Sequence, residues 1–192
     1  MVPNLALPIW ALGRPAFHAD TARRESLGWR WPGIRALVWG VGAFAAIFGA
    51  NTFVSRLLGN PIPYNLPGSV GPIQVSGPVS AMGLIIILVV FVGLTVTAEE
   101  TMFRGFIQGQ ASFAYGPLAG LILSTLLFGL RHLPADLFYA RAWTAPLSMW
   151  LSRQLQLYTA ALALAVARLG GRSTFASAIT HCLLLVTALF SL

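Results

Sequence analysis

Charge is what this chain has least of. Only 9% of its 192 residues are charged, and its five carboxylates stand against twelve basic residues, all arginine. Soluble domains carry roughly 25% charged residues. A chain that is 57% hydrophobic, with mean hydropathy +0.77, has too little polar surface to meet water on every side. Lipid is therefore its expected solvent. Cysteine is equally scarce. A lone Cys182 excludes an internal disulfide and any multi-cysteine metal site. Alternating ten-residue strands are missing as well, which sets aside a β-barrel and leaves a helical bundle to pair every backbone group inside the bilayer.

The net charge of +7 is unevenly spread. Arg14, Arg23, Arg24, Arg30 and Arg35 all precede the first long apolar run, and no aromatic–basic interleaving accompanies them. That asymmetry indicates a basic cytoplasmic face meeting anionic lipid, with no role for nucleic acid. The N-terminal stretch is short, lacks a basic leader and is interrupted by Pro3 and Pro8, so it is expected at the interface rather than as a cleaved signal.

Residues 1–35 form a basic interfacial lead-in, and residues 36–192 are expected to make one transmembrane domain. About five spans are expected: 36–58, 79–113, 118–138, a fourth starting near Thr144 or Trp150 and ending at Leu169, and 174–192. The fold class is an all-α polytopic bundle. An uncharged Pro- and Gly-rich loop covers 59–78, Tyr115-Gly116-Pro117 makes a turn, and Gly170-Gly171 separates the last two spans. The arginines place the N-terminus inside, most simply in a prokaryotic plasma membrane.

Ionisable side chains inside a span are costly and are rarely kept without a use. Here they are Glu99, Glu100, Arg104, Arg131, His132, Asp136 and His181, with Arg153 at the margin. At 1.5 Å per residue, the glutamates lie about 18 Å, His132 about 22 Å and His181 about 12 Å from one membrane face. Three helices thus bring polar groups to one slab near mid-membrane. Glu100 and Arg104 are i,i+4 and share a face, whereas Glu99 is turned by about 100° toward a different neighbour. A buried carboxylate beside an imidazole can take a proton from water and return it to a leaving amine. Asp136, four residues after His132, is spaced to orient that ring.

The stretch Glu99-Glu100-Thr101-Met102-Phe103-Arg104 resembles the EExxxR motif of the CPBP intramembrane endopeptidases, relatives of the type II CaaX prenyl protease. Phe128-Gly129-Leu130-Arg131-His132 resembles their FxxxH motif, and His181 stands where a third motif begins. The similarity takes in roughly residues 95–190, within a core beginning near residue 79. It implies peptide-bond hydrolysis within the bilayer, acting on a membrane-bound protein or a lipid-anchored peptide. Carried over residue by residue, Glu99 and His132 would activate water, Glu100 and Arg104 would orient and balance that carboxylate, and His181 would donate to the oxyanion. The family usually has Asn or Asp four residues after this histidine; here Leu185 takes that place. No cofactor is required by this scheme. The alternative is Zn²⁺ held by Glu99, His132 and His181 with an open position for water.

Other readings of the same residues are a fold-retaining member that only binds membrane partners, and a small proton-coupled transporter component. Cys182 points about 100° away from His181 on a helix, which disfavours a Cys–His dyad, and Ser124 lacks a glycine-framed helix start. Arg153, Gln154 and Gln156 sit deep if the fourth span begins near Trp143. A start near Trp150 leaves Arg153 at the outer interface, the preferred reading. Gly105-xxx-Gly109 and Gly116-xxx-Gly120 fit close helix packing.

Overall fold

The computed structural model describes residues 25, 27–30, 33–57, 81–139 and 147–190. Most of the basic lead-in, the 59–78 loop and the side chain of Asp136 lie outside the described residues.

Five helices account for what is described: α1 (Gly33–Leu57), α2 (residues 81–115), α3 (Pro117–Tyr139), α4 (Leu147–Gly171) and α5 (Thr174–Phe190). Among the described residues there is no strand. The all-helical expectation and the helix number both hold. Among the described residues, three stretches are long and apolar enough to cross a membrane: Gly33–Phe53, Met82–Tyr115 and Pro117–Pro134. In α5 the apolar stretch is shorter, Thr174–Thr187, and α4 carries Arg153, Gln154 and Gln156 in its first half.

Polarity is inverted relative to a water-soluble domain. Ile34, Val38, Phe53, Val89, Leu118 and Leu130 point outward, while Glu99, Glu100, Arg104, Gln108, Thr180 and His181 are buried. Helices in hydrocarbon gain nothing by hiding leucine from lipid, so they associate through close packing and polar contacts. Both devices are present. Ala36, Ala43, Ala167 and Ala176 form the seam of α1, α4 and α5. At Gly40 a side chain would meet the Ala176 carbonyl oxygen at 2.8 Å and Ile179 Cβ at 2.9 Å. Thr180 Oγ1 donates to the Gly40 carbonyl at 2.7 Å across that contact.

The second span is one continuous helix through the paired glutamates, as expected from the lack of a breaker. Its turns are not uniform. Ile87–Leu94 and Thr101–Gln108 are wound as π-helix, and the α-helical Thr95–Glu100 lies between them. Such wide turns are uncommon and concentrate at functional positions. Gly116, at φ 91°, closes the turn into α3, where a residue with a Cβ would be strained. Gly120 then lies directly against Ser112 and Gln108 of α2, so the second glycine pair divides its work between a turn and a close approach.

Residues 27–30 are held against the bundle rather than lying apart from it. Leu27 and Gly28 carbonyls accept from Thr174 Oγ1 and the Thr174 amide at 2.6 and 2.8 Å, which caps the start of α5. Trp29 stacks edge-on against Phe175 at 4.8 Å and donates through Nε1 to Thr101 Oγ1 at 3.2 Å.

The packing at Gly40 predicts that Gly40→Ala lowers stability by about 1–3 kcal/mol through overpacking. Gly42, with nothing within 4 Å of its added Cβ, should accept alanine with no loss. Thermal unfolding of the two variants in one detergent checks the contrast, and equal melting temperatures would refute it.

Candidate active site

Glu99 and Glu100 are adjacent on α2 and diverge. Glu100 is fully buried. Its Oε1 accepts from His181 Nδ1 at 2.8 Å, and its Oε2 lies 3.7 Å from Arg104 Nε. Glu99 turns to α3, where Oε1 accepts from Arg131 Nη1 at 2.6 Å. Its Oε2 lies 3.8 Å from His181 Nε2. One imidazole therefore stands between both carboxylates, and one guanidinium is provided for each. The i,i+4 pairing of Glu100 with Arg104 is where the helix period places it. Arg131, noted in the sequence only as an ionisable residue in the membrane, proves to be the partner of Glu99. Its position directly before His132, on the same turn, was the available signal.

Arg104 has no exposed surface. A charge so placed needs partners on every side. Besides Glu100, Arg104 Nη2 donates to the Ala161 carbonyl at 3.0 Å, and its guanidinium lies 4.3 Å from the Phe128 ring centroid. One turn on, Gln108 Nε2 donates to the Ala165 carbonyl at 2.9 Å. Small side chains at 161 and 165 leave the α4 backbone open to these donors. α2 is thus fastened to α4 by two parallel polar contacts.

Phe128 organises the histidines. Its ring centroid lies 4.7 Å from that of His132 and 6.1 Å from that of His181, and it packs edge-on to Phe103 at 5.1 Å. The Phe128 carbonyl, one turn before His132, receives Nδ1 of that ring at 2.8 Å. A carbonyl only accepts, so Nδ1 carries the hydrogen, and the lone pair of the neutral ring is on Nε2. The same logic holds for His181, whose Nδ1 faces a carboxylate. The Phe128 carbonyl thus helps to orient the ring, while the expected pairing with Asp136 lies outside the described residues.

A cavity of about 190 Å³ adjoins this cluster. Its polar lining comes from Asn51, His132, Arg153, Gln156 and His181, with Leu185 on the wall. One water needs about 10–15 Å³ measured this way, so a water and part of a substrate fit together. Arg153 and Gln156 line the same space as both histidines. The preferred expectation placed Arg153 at the outer interface; α4, described from Leu147 onward, also puts this turn beside the site. Among the described residues, no three His, Cys, Asp or Glu side chains converge as a metal ion would require.

Removing Arg104 should be severe. Arg104→Met would leave the fully buried Glu100 short of its counter-charge at a cost of about 3–5 kcal/mol. Arg131, one-third exposed, should cost less as Arg131→Met. Unfolding of both variants in bicelles tests the order, and a reversed order would show that Glu100 does not depend on Arg104.

Comparison with known proteins bears on this arrangement. No curated protein and no solved structure matches the chain. A family model does, over residues 78–187, the span that carries both glutamates, both arginines and both histidines. With more than half of its length matched, the chain belongs to the type II CAAX prenyl endopeptidase Rce1-like family.

Proposed function

We propose that this protein is an intramembrane endopeptidase that cleaves a peptide bond of a membrane-associated, lipid-anchored substrate using water activated by Glu99 with histidine. The observation that carries the reading is the His181 ring between two buried carboxylates at the edge of a cavity. Glu99 Oε2 and His181 Nε2, 3.8 Å apart, are too far for a direct hydrogen bond. One oxygen atom can hydrogen-bond both at about 2.8 Å if the angle at it is about 85°. A water held there gives up its proton to Glu99 as its oxygen attacks the carbonyl carbon. His132, presenting Nε2 to the cavity, shares the proton and passes it to the leaving amine. His181 is gripped through Nδ1 by Glu100. In the doubly protonated state of this ring, Nε2 donates to the oxyanion. Arg104 and Arg131 balance the carboxylates and do not touch substrate.

In this proposal the reaction runs without a resident metal. Glu99 Oε1 is engaged by a guanidinium and His181 Nδ1 by Glu100, which leaves Glu99 Oε2 and His181 Nε2 to hold water. Among the described residues, no three His, Cys, Asp or Glu side chains converge on one point. A prenyl or other lipid chain on the substrate accords with the family and with the lipid-facing exterior. Arg30, Arg35, Arg168 and Arg172 collect at one end of the bundle, where Arg35 Nε donates to the Gly170 carbonyl at 2.7 Å and the Arg168 side chain adjoins Gly28. That end is read as cytoplasmic, most simply facing a prokaryotic cytosol.

The purified chain in liposomes is expected to cleave a fluorogenic prenylated peptide. Glu99→Gln should reduce kcat/KM by about 10²-fold or more, the usual scale for a general base, without lowering the melting temperature. His132→Ala should act similarly. Full cellular function in Glu99→Gln would overturn the enzymatic reading in favour of partner binding. Chelators should leave cleavage intact, whereas a loss restored by Zn²⁺ would overturn the metal-free mechanism.

A further inference from the structure

Attack of water on an amide moves the carbonyl electron pair onto oxygen, and hydrogen-bond donors aimed at that oxygen are often the largest single contribution to catalysis. The two histidines are poorly supplied with such donors at the start of the reaction. In its neutral form each ring has a single N–H, which His132 turns to the Phe128 carbonyl and His181 to Glu100. Leu185, one turn beyond His181, offers this wall only methyl groups. A further donor must come from another helix.

Gln156 meets the requirement. It projects from α4 into the lining of the cavity shared by His132 and His181. Only 8% of it is exposed. Its Nε2 is buried and has no hydrogen-bond partner among the described residues. An amide N–H left unpaired in such surroundings costs about 1–3 kcal/mol. That cost is recovered if an acceptor arrives, and the acceptor that the cavity receives in catalysis is the scissile carbonyl. An oxyanion site requires a donor from which no water has to be displaced, and the burial of Nε2 meets that condition.

We infer that Gln156 supplies an N–H to the carbonyl oxygen of the scissile bond, stabilising the oxyanion that forms when water adds. The inference rests on the hydrolytic reading above. In the step itself, water oxygen bonds to carbon, the C=O pair moves to oxygen, the water proton goes to Glu99, and Gln156 shares a hydrogen without losing it.

The test is Gln156→Met, which keeps side-chain length and helix propensity and deletes the donor. Replacing an unpaired buried amide by an apolar group should leave stability unchanged or raised, so a folding defect is not expected. Cleavage of the prenylated fluorogenic peptide should show kcat reduced by about 10²-fold, as for loss of one oxyanion donor, with KM within twofold. A peptide trifluoromethyl ketone, which hydrates to a tetrahedral adduct, should bind the variant more weakly in the same proportion as kcat falls. Unchanged kcat and ketone affinity, in a preparation where Glu99→Gln is inactive, would overturn the role of Gln156 alone. If cleavage by the native protein were independent of Glu99, the hydrolytic reading would fall and this inference with it. Raised KM at constant kcat would also overturn it, because it would mark Gln156 as a ground-state binder.

Discussion

Everything at the centre of this bundle depends on keeping four charges out of lipid and out of bulk water. Two glutamates and two arginines lie on neighbouring turns of α2 and α3, with His181 of α5 between the acids. An isolated ion in such a setting is expensive, and its partner must offset that expense through geometry and additional hydrogen bonds. Arg104 meets the condition in part, collecting a carboxylate at 3.7 Å, a backbone carbonyl and an aromatic face, while its Nε and Nη1 are buried without hydrogen-bond partners among the described residues. The need to satisfy this one guanidinium fixes where α2 lies against α3 and α4. Hydrophobic sorting could not have fixed it, since lipid and core are alike to an aliphatic side chain.

Phe128 links that support to the chemistry. Its ring carries Arg104 on one side and borders both imidazoles, while its carbonyl sets the tautomer of His132. A single residue thus couples the charge balance behind Glu100 to the nitrogen that faces the cavity. The acids are held from behind and the rings from the side, so the cavity face is left for water and substrate.

Much of this was legible in the sequence because it is periodic or compositional. Long apolar runs gave five helices, and the i,i+4 rule gave Glu100 with Arg104. Depths counted along the spans placed Glu99, His132 and His181 in one slab, and the motif resemblance offered the same three as site residues. What sequence could not give depends on how helices rotate about each other. The Arg131–Glu99 contact follows from the Gly116 turn and the close approach at Gly120, which set the phase between α2 and α3. The π-wound turns flanking Glu99 and Glu100 have no composition signal, because a widened turn is fixed by packing rather than by propensity. Gln156 looked marginal because the start of α4 could not be placed to within a turn. A shift of that size decides whether a polar side chain meets lipid headgroups or the cavity.

The cap on α5 has a consequence for the order in which the protein is built. Gly28 and Leu27 hold the first turn of α5 through Thr174, 147 positions after Leu27. A ribosome releases the earlier segment long before its partner exists, so the ring formed by these contacts closes only when α5 emerges. His181, seven residues beyond Thr174 on that helix, reaches the glutamates in the same closing event. The nascent chain therefore carries its acids through assembly without the imidazole that completes them until α5 has been made.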